Sequence, residues 1–127
     1  EKIIPATINA INYGVRLRIH GEGKSIRNFL HVLDFANAVQ IITKRSKHGE
    51  IYNVKGKFKI KIIDLIKKLS LISGKDISKF AKFVKDRPFN DFTYNISDKK
   101  IKLLGWNENK KFDFEIKRIL KKNLVLK

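Results

Sequence analysis

Residues 5–20 read PATINAINYGVRLRIH, and this stretch decides the fold class. Pro5 suits the first turn of a helix and Gly14 suits a helix end, with Ile8 and Ile11 on one face between them. From residue 15 to residue 20 apolar and polar side chains alternate strictly, which is the period of a strand. Val15, Leu17 and Ile19 are expected to point one way. The stretch therefore predicts a helix followed directly by a half-buried strand.

The rest of the chain continues this mixture of periods. Further strands are predicted at residues 26–32, 50–54, 57–61 and 80–84, with lysines marking 57–61 as an edge strand. Helices are predicted at residues 34–44 and 62–72, followed by two shorter ones near residues 101–104 and 116–120. Helices and short strands alternate irregularly, so we predict one α/β domain over residues 1–127.

Two details of the helices can be checked against the structure. The helix at residues 34–44 carries an apolar stripe, expected to face the core, of Phe35, Ala38, Val39 and Ile42. Three helices are expected to begin at side-chain caps, namely Asp34, Ser97 and Asp113. Each prediction follows from local pattern alone.

The net charge of +17 raises the question of nucleic-acid binding. Of the 29 basic residues, 23 are lysine, and they are spread over the whole chain. Scattered lysine is typical of a solvated surface, so we do not expect a nucleic-acid partner. The chain also lacks cysteine, and its three histidines show no metal-ligand spacing, so no metal site is expected. With no apolar run of membrane-spanning length and no signal peptide, we expect no membrane association and a cytoplasmic location.

A complete catalytic apparatus is not visible in the sequence. None of the three tyrosines is followed four residues later by lysine, and Gly21-x-Gly23 is the nearest approach to a dinucleotide-binding glycine motif. No serine nucleophile motif is present either. We therefore name no catalytic residue and expect the chain by itself to be catalytically silent.

The six arginines are more informative than the lysines, because a planar guanidinium can hold two phosphate oxygens at once. Arg27 lies in a strand-like stretch flanked by aromatic residues, and Arg87 lies in a loop stiffened by Pro88. Both are unusual places for a charge that only solubilises the protein. The alternative is local pairing, of Arg27 with Asp34 or of Arg87 with Asp91.

Six motifs occur in an order and spacing that resemble a known family. They are Glu1-Lys-Ile-Ile-Pro5, Arg18-Ile-His-Gly-Glu-Gly23, Arg27-x-Phe29-x-His31-Val-x-Asp34, Gly49-Glu-Ile-Tyr-Asn53, Asp86-Arg-Pro-Phe-Asn-Asp91 and Leu104-Gly-Trp106. Together they resemble the C-terminal part of nucleotide-sugar 4,6-dehydratases, which belong to the extended short-chain dehydrogenase/reductase (NAD-dependent epimerase/dehydratase) family. The Arg-Pro-Phe-Asn-Asp form and the Ile19-His20-Gly21 turn are more similar to the UDP-glucose type of rhamnose synthesis than to the dTDP-glucose type. The resemblance also implies that Ile62 fits the UDP-glucose type, because the dTDP-glucose enzymes favour asparagine at that position.

The resemblance implies a fold and a reaction. The fold is a small mixed α/β substrate-binding lobe that lacks most of the N-terminal Rossmann sheet. In the family, bound NAD takes hydride from C4 of the sugar, water leaves across C5 and C6, and the hydride returns to C6. The glycine-rich NAD loop, the catalytic tyrosine and lysine and an Asp-Glu pair belong to the N-terminal lobe. The partners implied are therefore a nucleotide-sugar substrate and that Rossmann lobe, with no strong dimer formed by this part alone.

The resemblance also implies site residues. Lys2 matches a lysine near the substrate phosphates, and Arg27 and Arg87 match the arginines that clamp the diphosphate. The positions along the nucleobase and ribose are Arg18, Ile19, His20, Asp86 and Asn90. Structural roles are expected instead for His31, Asp34, Tyr52, Asn53 and Trp106. Two alternatives remain open: an epimerase or decarboxylase of the same family, and a non-enzymatic basic module that binds nucleic acid.

Overall fold

The computed structural model describes residues 2–124. Its elements, in chain order, are α1 (Ile3–Tyr13), β1 (Leu17–His20), β2 (Ile26–Phe29), α2 (Val32–Arg45), β3 (Phe58–Lys61), α3 (Ile62–Ser73), a 3₁₀ turn (Ile77–Lys79), β4 (Ala81–Val84), α4 (Lys99–Leu103) and α5 (Phe112–Asn123). Helices and short strands share the chain, so the predicted mixed α/β class is confirmed.

The four strands form two separate pairs. β1 and β4 are parallel, with Leu17 opposite Ala81 and His20 opposite Val84. β2 and β3 are antiparallel, with Arg27 opposite Ile60. Each pair has two strands, so the predicted edge position of β3 is confirmed. The end of β1 and the start of β2 lie beside the loop that follows β4, because the N–H of Gly21 donates to Val84 and that of Ile26 donates to Phe92.

The main hydrophobic core lies between α1, β1, α3 and α5. Its buried members are Ile8, Ala10, Ile11, Leu17, Ile19, Leu65, Ile66, Leu69, Phe80, Ile116 and Leu120. In β1 the burial alternates as predicted, because Leu17 and Ile19 face this core while Arg18 and His20 face outward. Val15 is the exception, since it precedes the strand and is 52% exposed.

A second, smaller core lies beneath α2 and is centred on Trp106. Trp106, Ala38 and Ile101 are all fully buried, and the indole Nε1 of Trp106 donates to the backbone oxygen of Asp34 at 3.0 Å. The predicted structural role of Trp106 is confirmed by this packing. The predicted apolar stripe of α2 is divided, because Ala38 is buried whereas Phe35 and Val39 are about half exposed.

The prediction that Asp34 caps α2 is wrong. The cap is His31, whose Nδ1 accepts from the backbone N–H of Leu33. Asp34 lies inside the first turn and is buried, and its carboxylate accepts the backbone N–H groups of Asn109 and Lys110 at 3.1 and 2.9 Å. Asp34 therefore joins α2 to the distant loop at residues 109–110 and does not cap its own helix.

Other boundaries also differ from the predictions. Residues 50–54 form no strand, and the strand predicted at residues 26–32 ends at Phe29 because α2 begins at Val32. The last helix begins one residue before Asp113, with Lys111 at its N-cap. Ser97 lies just before α4, whose N-cap is Asp98. These differences amount to a few residues and leave the order of the remaining elements unchanged.

Candidate functional site

A cavity of about 1050 Å³ opens beside the start of α1, the outer face of β1 and the strand β2. It is lined by Lys2, Ile3, Ile4, Ala6, Asn9, Val15, Arg16, Leu17, Arg18, Ile19, His20, Gly23, Ser25, Arg27, Asn28, Phe29, Ile62, Arg87, Asn90 and Tyr94. Several cationic side chains and no carboxylate appear among these residues. The lining therefore favours an anionic ligand.

Arg27 projects from β2 into this cavity and is held on several sides. Its Nη1 donates to the backbone oxygen of Ile26 at 2.8 Å and to that of Phe92 at 3.4 Å. Its Nη2 donates to the side-chain oxygen of Asn90 at 3.3 Å. The guanidinium carbon also lies 4.9 Å from the ring centroid of Tyr94, which is a cation–π contact. These contacts orient the guanidinium before any ligand arrives.

Arg87 reaches the same point from the loop after β4. Its Nη2 donates to the Oδ1 of Asn90 at 3.2 Å, so one amide oxygen accepts from both arginines. The amide nitrogen of Asn90 in turn donates to Asp86 Oδ1 at 2.9 Å and to Ser25 Oγ at 3.1 Å. Those two acceptors fix which end of the amide faces the arginines. Arg27 and Arg87 therefore converge on one acceptor, the side-chain oxygen of Asn90.

The local ion pairs considered as the alternative do not form. Asp34 accepts from the backbone of Asn109 and Lys110 instead. Among the residues that the structure describes, no carboxylate lies within 4.0 Å of the guanidinium nitrogens of Arg27 or Arg87. Asn90 is a neutral acceptor, so it brings the two guanidinium groups together without cancelling their charge. Both charges remain available to an anion.

The other predicted positions on the cavity wall differ in exposure. Lys2 is exposed at the N-cap of α1, and Arg18 and His20 lie on the outward face of β1. Ile19 borders the cavity as well, but its side chain is 1% exposed and packs in the main core. Of this group, Lys2, Arg18 and His20 are thus the ones whose side chains are free to approach a ligand.

Asp86 is the one predicted residue that does not line the large cavity. It borders an adjoining cavity of about 330 Å³ together with His20, Gly21, Glu22, Lys24, Ser25, Asn90 and Phe92. Gly21 has φ +56°, and a Cβ there would lie 2.9 Å from Asp86 Oδ2. The left-handed φ favours glycine at this position, and the short distance shows that the turn after β1 lies against the side chain of Asp86.

Sequence reasoning missed Tyr94 and Ser25. Both line the large cavity, and each contacts the arginine network, Tyr94 through Arg27 and Ser25 through Asn90. Arg16 and Asn28 also line the cavity without having been predicted to bind substrate. The available signal was the short separation of Tyr94 from the Asp86–Asp91 motif in the chain, which places an aromatic ring near the end of the same loop.

The residues expected to have structural roles lie outside both cavities. The Tyr52 ring packs against the second core, and its hydroxyl donates to Glu50. This hydrogen bond lowers the pKa of Glu50 and raises that of Tyr52.

In residues 2–124 we find no group of three side chains suited to a metal ion. Across the same residues, no helix has the length and apolar character needed to cross a membrane.

Known proteins resemble this chain in sequence. The profile of the NAD dependent epimerase/dehydratase family matches residues 1–54. A trifunctional UDP-glucose 4,6-dehydratase/UDP-4-keto-6-deoxy-D-glucose 3,5-epimerase/UDP-4-keto-L-rhamnose-reductase from Arabidopsis thaliana is 35% identical over 120 residues, covering 94% of this chain and 18% of that protein. A dTDP-D-glucose 4,6-dehydratase from Homo sapiens is also 35% identical, over 111 residues that cover 84% of this chain and 32% of that protein.

Solved structures share the fold. A dTDP-glucose 4,6-dehydratase from Streptomyces venezuelae, with NAD bound, superimposes with a TM-score of 0.88 at 26% identity, covering 94% of this chain and 37% of that one. A UDP-glucuronic acid 4-epimerase from Bacillus cereus, in complex with UDP-glucuronic acid and NAD, has a TM-score of 0.80 at 23% identity, covering 97% of this chain and 38% of that one. The chain thus spans little more than a third of these proteins at most. The resemblance found in the sequence is confirmed: over most of its length the chain is similar to proteins of the NAD-dependent epimerase/dehydratase family.

Proposed function

We propose that this chain is the nucleotide-sugar-binding part of an NAD-dependent 4,6-dehydratase, which forms a 4-keto-6-deoxy sugar nucleotide. The observation that carries the proposal is the meeting of the Arg27 and Arg87 guanidinium groups at one oxygen of Asn90, on the wall of a 1050 Å³ cavity and with no acidic partner among residues 2–124. A pyrophosphate bridge carries about two negative charges and several acceptor oxygens. Convergent planar donors suit such a group.

The chain's own residues have separate tasks in this proposal. Arg27 and Arg87 bind the diphosphate, and Lys2 approaches it from the start of α1. The nucleoside end lies along the outer face of β1, near Arg18, Ile19 and His20, with Asp86 and Asn90 near the ribose and base. Holding the diphosphate fixes where the sugar lies, and so orients it for a reaction catalysed by residues elsewhere in the enzyme.

NAD use comes with the family. Residues 2–124 contain neither a glycine-rich loop ahead of a helix nor a parallel sheet of more than two strands. In this proposal these residues do not hold the dinucleotide. When bound, NAD supplies hydride transfer to and from the sugar. We propose that it is held by the N-terminal Rossmann lobe of the enzyme.

An apolar face on α2 supports docking of that lobe. Val32 and Leu33 are 69% and 55% exposed, and Phe35 and Val39 lie on the same helix at 51% and 46%. Val32, Phe35 and Val39 are three and four residues apart, so they share one face of the helix, and an exposed apolar face is typical of an interface. In this proposal the Rossmann lobe covers the apolar face of α2. The proposed enzyme binds no nucleic acid and is cytoplasmic.

The nucleotide is proposed to be UDP. The sequence features that favour UDP-glucose over dTDP-glucose are His20, Ile62 and the Phe89–Asn90 pair, and His20, Ile62 and Asn90 line the large cavity. An epimerase of the same family remains the second candidate, because the Bacillus cereus 4-epimerase has the same fold over 97% of this chain. The catalytic residues that separate the two reactions are not expected in this part of the enzyme.

Calorimetric titration of UDP, dTDP and uridine into the purified chain tests the proposal. We expect UDP to bind more tightly than dTDP, and uridine to bind weakly because it lacks the diphosphate. Arg27→Ala and Arg87→Ala should each weaken UDP binding, by at least about 30-fold for Arg27. Arg118→Ala is the matched control. Arg118 pairs with Glu115 at an N–O distance of 2.8 Å, and it does not line the cavity. Equal affinity in the native chain and both cavity variants would reject the proposed site.

A further inference from the structure

Tyr94 contacts the guanidinium group that we assign to the diphosphate, and nothing in the sequence motifs gives this residue a role. We propose that Tyr94 is a positioning residue, whose ring fixes the plane of the Arg27 guanidinium so that its remaining donors face the ligand. The inference rests on the proposed function, since it concerns how Arg27 is made ready for a diphosphate. The contact itself joins the guanidinium carbon to the ring centroid at 4.9 Å.

The hydrogen bonds of Arg27 orient its guanidinium within its plane and leave the tilt of that plane to another contact. Nη1 donates to two backbone oxygens, of Ile26 and Phe92, and Nη2 donates to Asn90 Oδ1. Three of the five N–H donors of a guanidinium are thus engaged within residues 2–124, which leaves two for a ligand. Hydrogen bonds at the end of the group orient it within its plane. A ring against its face opposes tilting of that plane and adds cation–π attraction.

Apart from the bond to Ile26, these contacts come from one short segment, residues 90–94. The same Phe92 oxygen that accepts from Arg27 also accepts the backbone N–H of Ile26 at 2.7 Å, which joins the segment to β2. Asn90, at the other end, accepts from Arg87 as well. The docking of this segment on β2 therefore sets the position of both arginines, and Tyr94 is its last contact with Arg27.

The exposure of Tyr94 separates a positioning role from a packing role. The side chain is 53% exposed and belongs to neither hydrophobic core. Its removal should leave the fold intact, and its effect should appear at Arg27. The opposing interpretation is that the ring contacts the ligand directly, since Tyr94 also lines the cavity. The two interpretations predict different results when Arg27 is absent.

The first arm of the test needs no ligand. Proton NMR of the chain should show upfield ring-current shifts for the δ protons of Arg27. Tyr94→Phe, which keeps the ring, should retain these shifts, and Tyr94→Leu should remove them. Shifts that are absent in the native chain, or unchanged in Tyr94→Leu, would overturn the proposal. If the spectrum of Tyr94→Leu stays dispersed, the fold is intact and the loss of the ring-current shifts is local to Arg27.

The second arm measures UDP affinity in a double-mutant cycle. Tyr94→Leu should weaken UDP binding by about three- to tenfold, and Tyr94→Phe by less than about twofold. In an Arg27→Ala background, Tyr94→Leu should cause no further loss. An equal loss in both backgrounds would show direct ligand contact and overturn the positioning role. If the native chain does not bind UDP, the proposed function fails, while the ring-current arm still decides whether Tyr94 positions Arg27.

Discussion

The two halves of the candidate site are built in different ways. One half stands on regular structure: Arg18 and His20 on β1, and Arg27 on β2, which pairs with β3 along its length. The other half, residues 85–97, contains no helix or strand and carries Arg87 and Asn90. The strand half is anchored by side chains in the main core, such as Ile19, whereas the loop half is anchored mainly by hydrogen bonds to β2.

This difference indicates that the two arginines have different roles in the candidate site. Arg27 is oriented by three hydrogen bonds and an aromatic ring, so ligand binding costs little further ordering of its side chain. Arg87 has a single side-chain hydrogen bond within residues 2–124, to Asn90, and it is exposed. We infer that Arg27 would define the position of the proposed diphosphate and that Arg87 would adapt to it.

The largest expected effect concerns stability in the strand half. Ile19→Ala removes a side chain that is 1% exposed in the main core, and should lower the free energy of unfolding by about 2–5 kcal/mol. Val15→Ala is the matched control, because Val15 belongs to the same sequence alternation but is 52% exposed, and should change stability by no more than about 0.5 kcal/mol. Urea denaturation measures both. Equal losses would place Val15 in the core and contradict the observed strand boundary.

Lysine substitutions compare the two arginines directly. Arg27→Lys should weaken UDP binding by about tenfold, because a point charge cannot reproduce the planar group held by three acceptors and a ring. Arg87→Lys should lose less than about threefold, because the loop lets a lysine approach the same phosphate. Isothermal titration calorimetry gives both values. The reverse order would mean that the loop arginine is the more precisely oriented of the two.

Backbone conformation supplies a third contrast, between two residues with positive φ. Phe89 has φ +58° in the loop half and a fully exposed side chain, so Phe89→Gly should raise stability by up to about 1 kcal/mol. Gly21 has φ +56°, and a Cβ there would lie 2.9 Å from Asp86 Oδ2, so Gly21→Ala should lower stability by about 1 kcal/mol. Thermal unfolding followed by circular dichroism checks the opposite signs. A stabilising Gly21→Ala would contradict the left-handed conformation of Gly21.

The smallest effect lies where the loop half ends, at Asp98. A hydrogen bond from Lys102 lowers the pKa of Asp98 below its ordinary value of 3.8. The charged pair therefore contributes stability above the unfolded pKa, and this contribution disappears as the pH falls through the folded pKa. Asp98→Asn should cost less than about 1 kcal/mol at pH 7, and the difference should shrink as the pH falls below 3.8 and through the lowered folded pKa. A difference that persists at low pH would point to packing instead of charge.

Sequence reasoning succeeded where local periodicity decides the outcome. The alternation of Leu17 to His20 and the helix end at Gly14 follow from side-chain pattern and backbone freedom, and the structure has both. It failed where a distant segment decides. Asp34 has the sequence context of a helix cap, but its carboxylate accepts hydrogen bonds from the backbone of residues 109–110 instead. The stripe on α2 likewise divides, because the second core covers Ala38 and leaves Phe35 exposed.

The same reasoning applies to the site. Arg27 and Arg87 could be selected as separate candidates, because each stands in an unusual local setting. Their convergence depends on how the loop docks on β2, and this docking joins residues more than sixty positions apart. The roles of Asn90 as a shared acceptor and of Tyr94 as a ring beside Arg27 arise from that docking alone. No local pattern contains that information.

The most direct test of convergent binding is the NMR spectrum of the arginine Nε–H groups, because the chain has only six arginines. Addition of UDP should shift the signals of Arg27 and Arg87 and leave those of Arg45 and Arg118, which lie outside the cavity, unchanged. Uridine, without phosphates, should leave all four unchanged. If UDP moves neither Arg27 nor Arg87, or moves all six arginines alike, these two side chains do not form a diphosphate site.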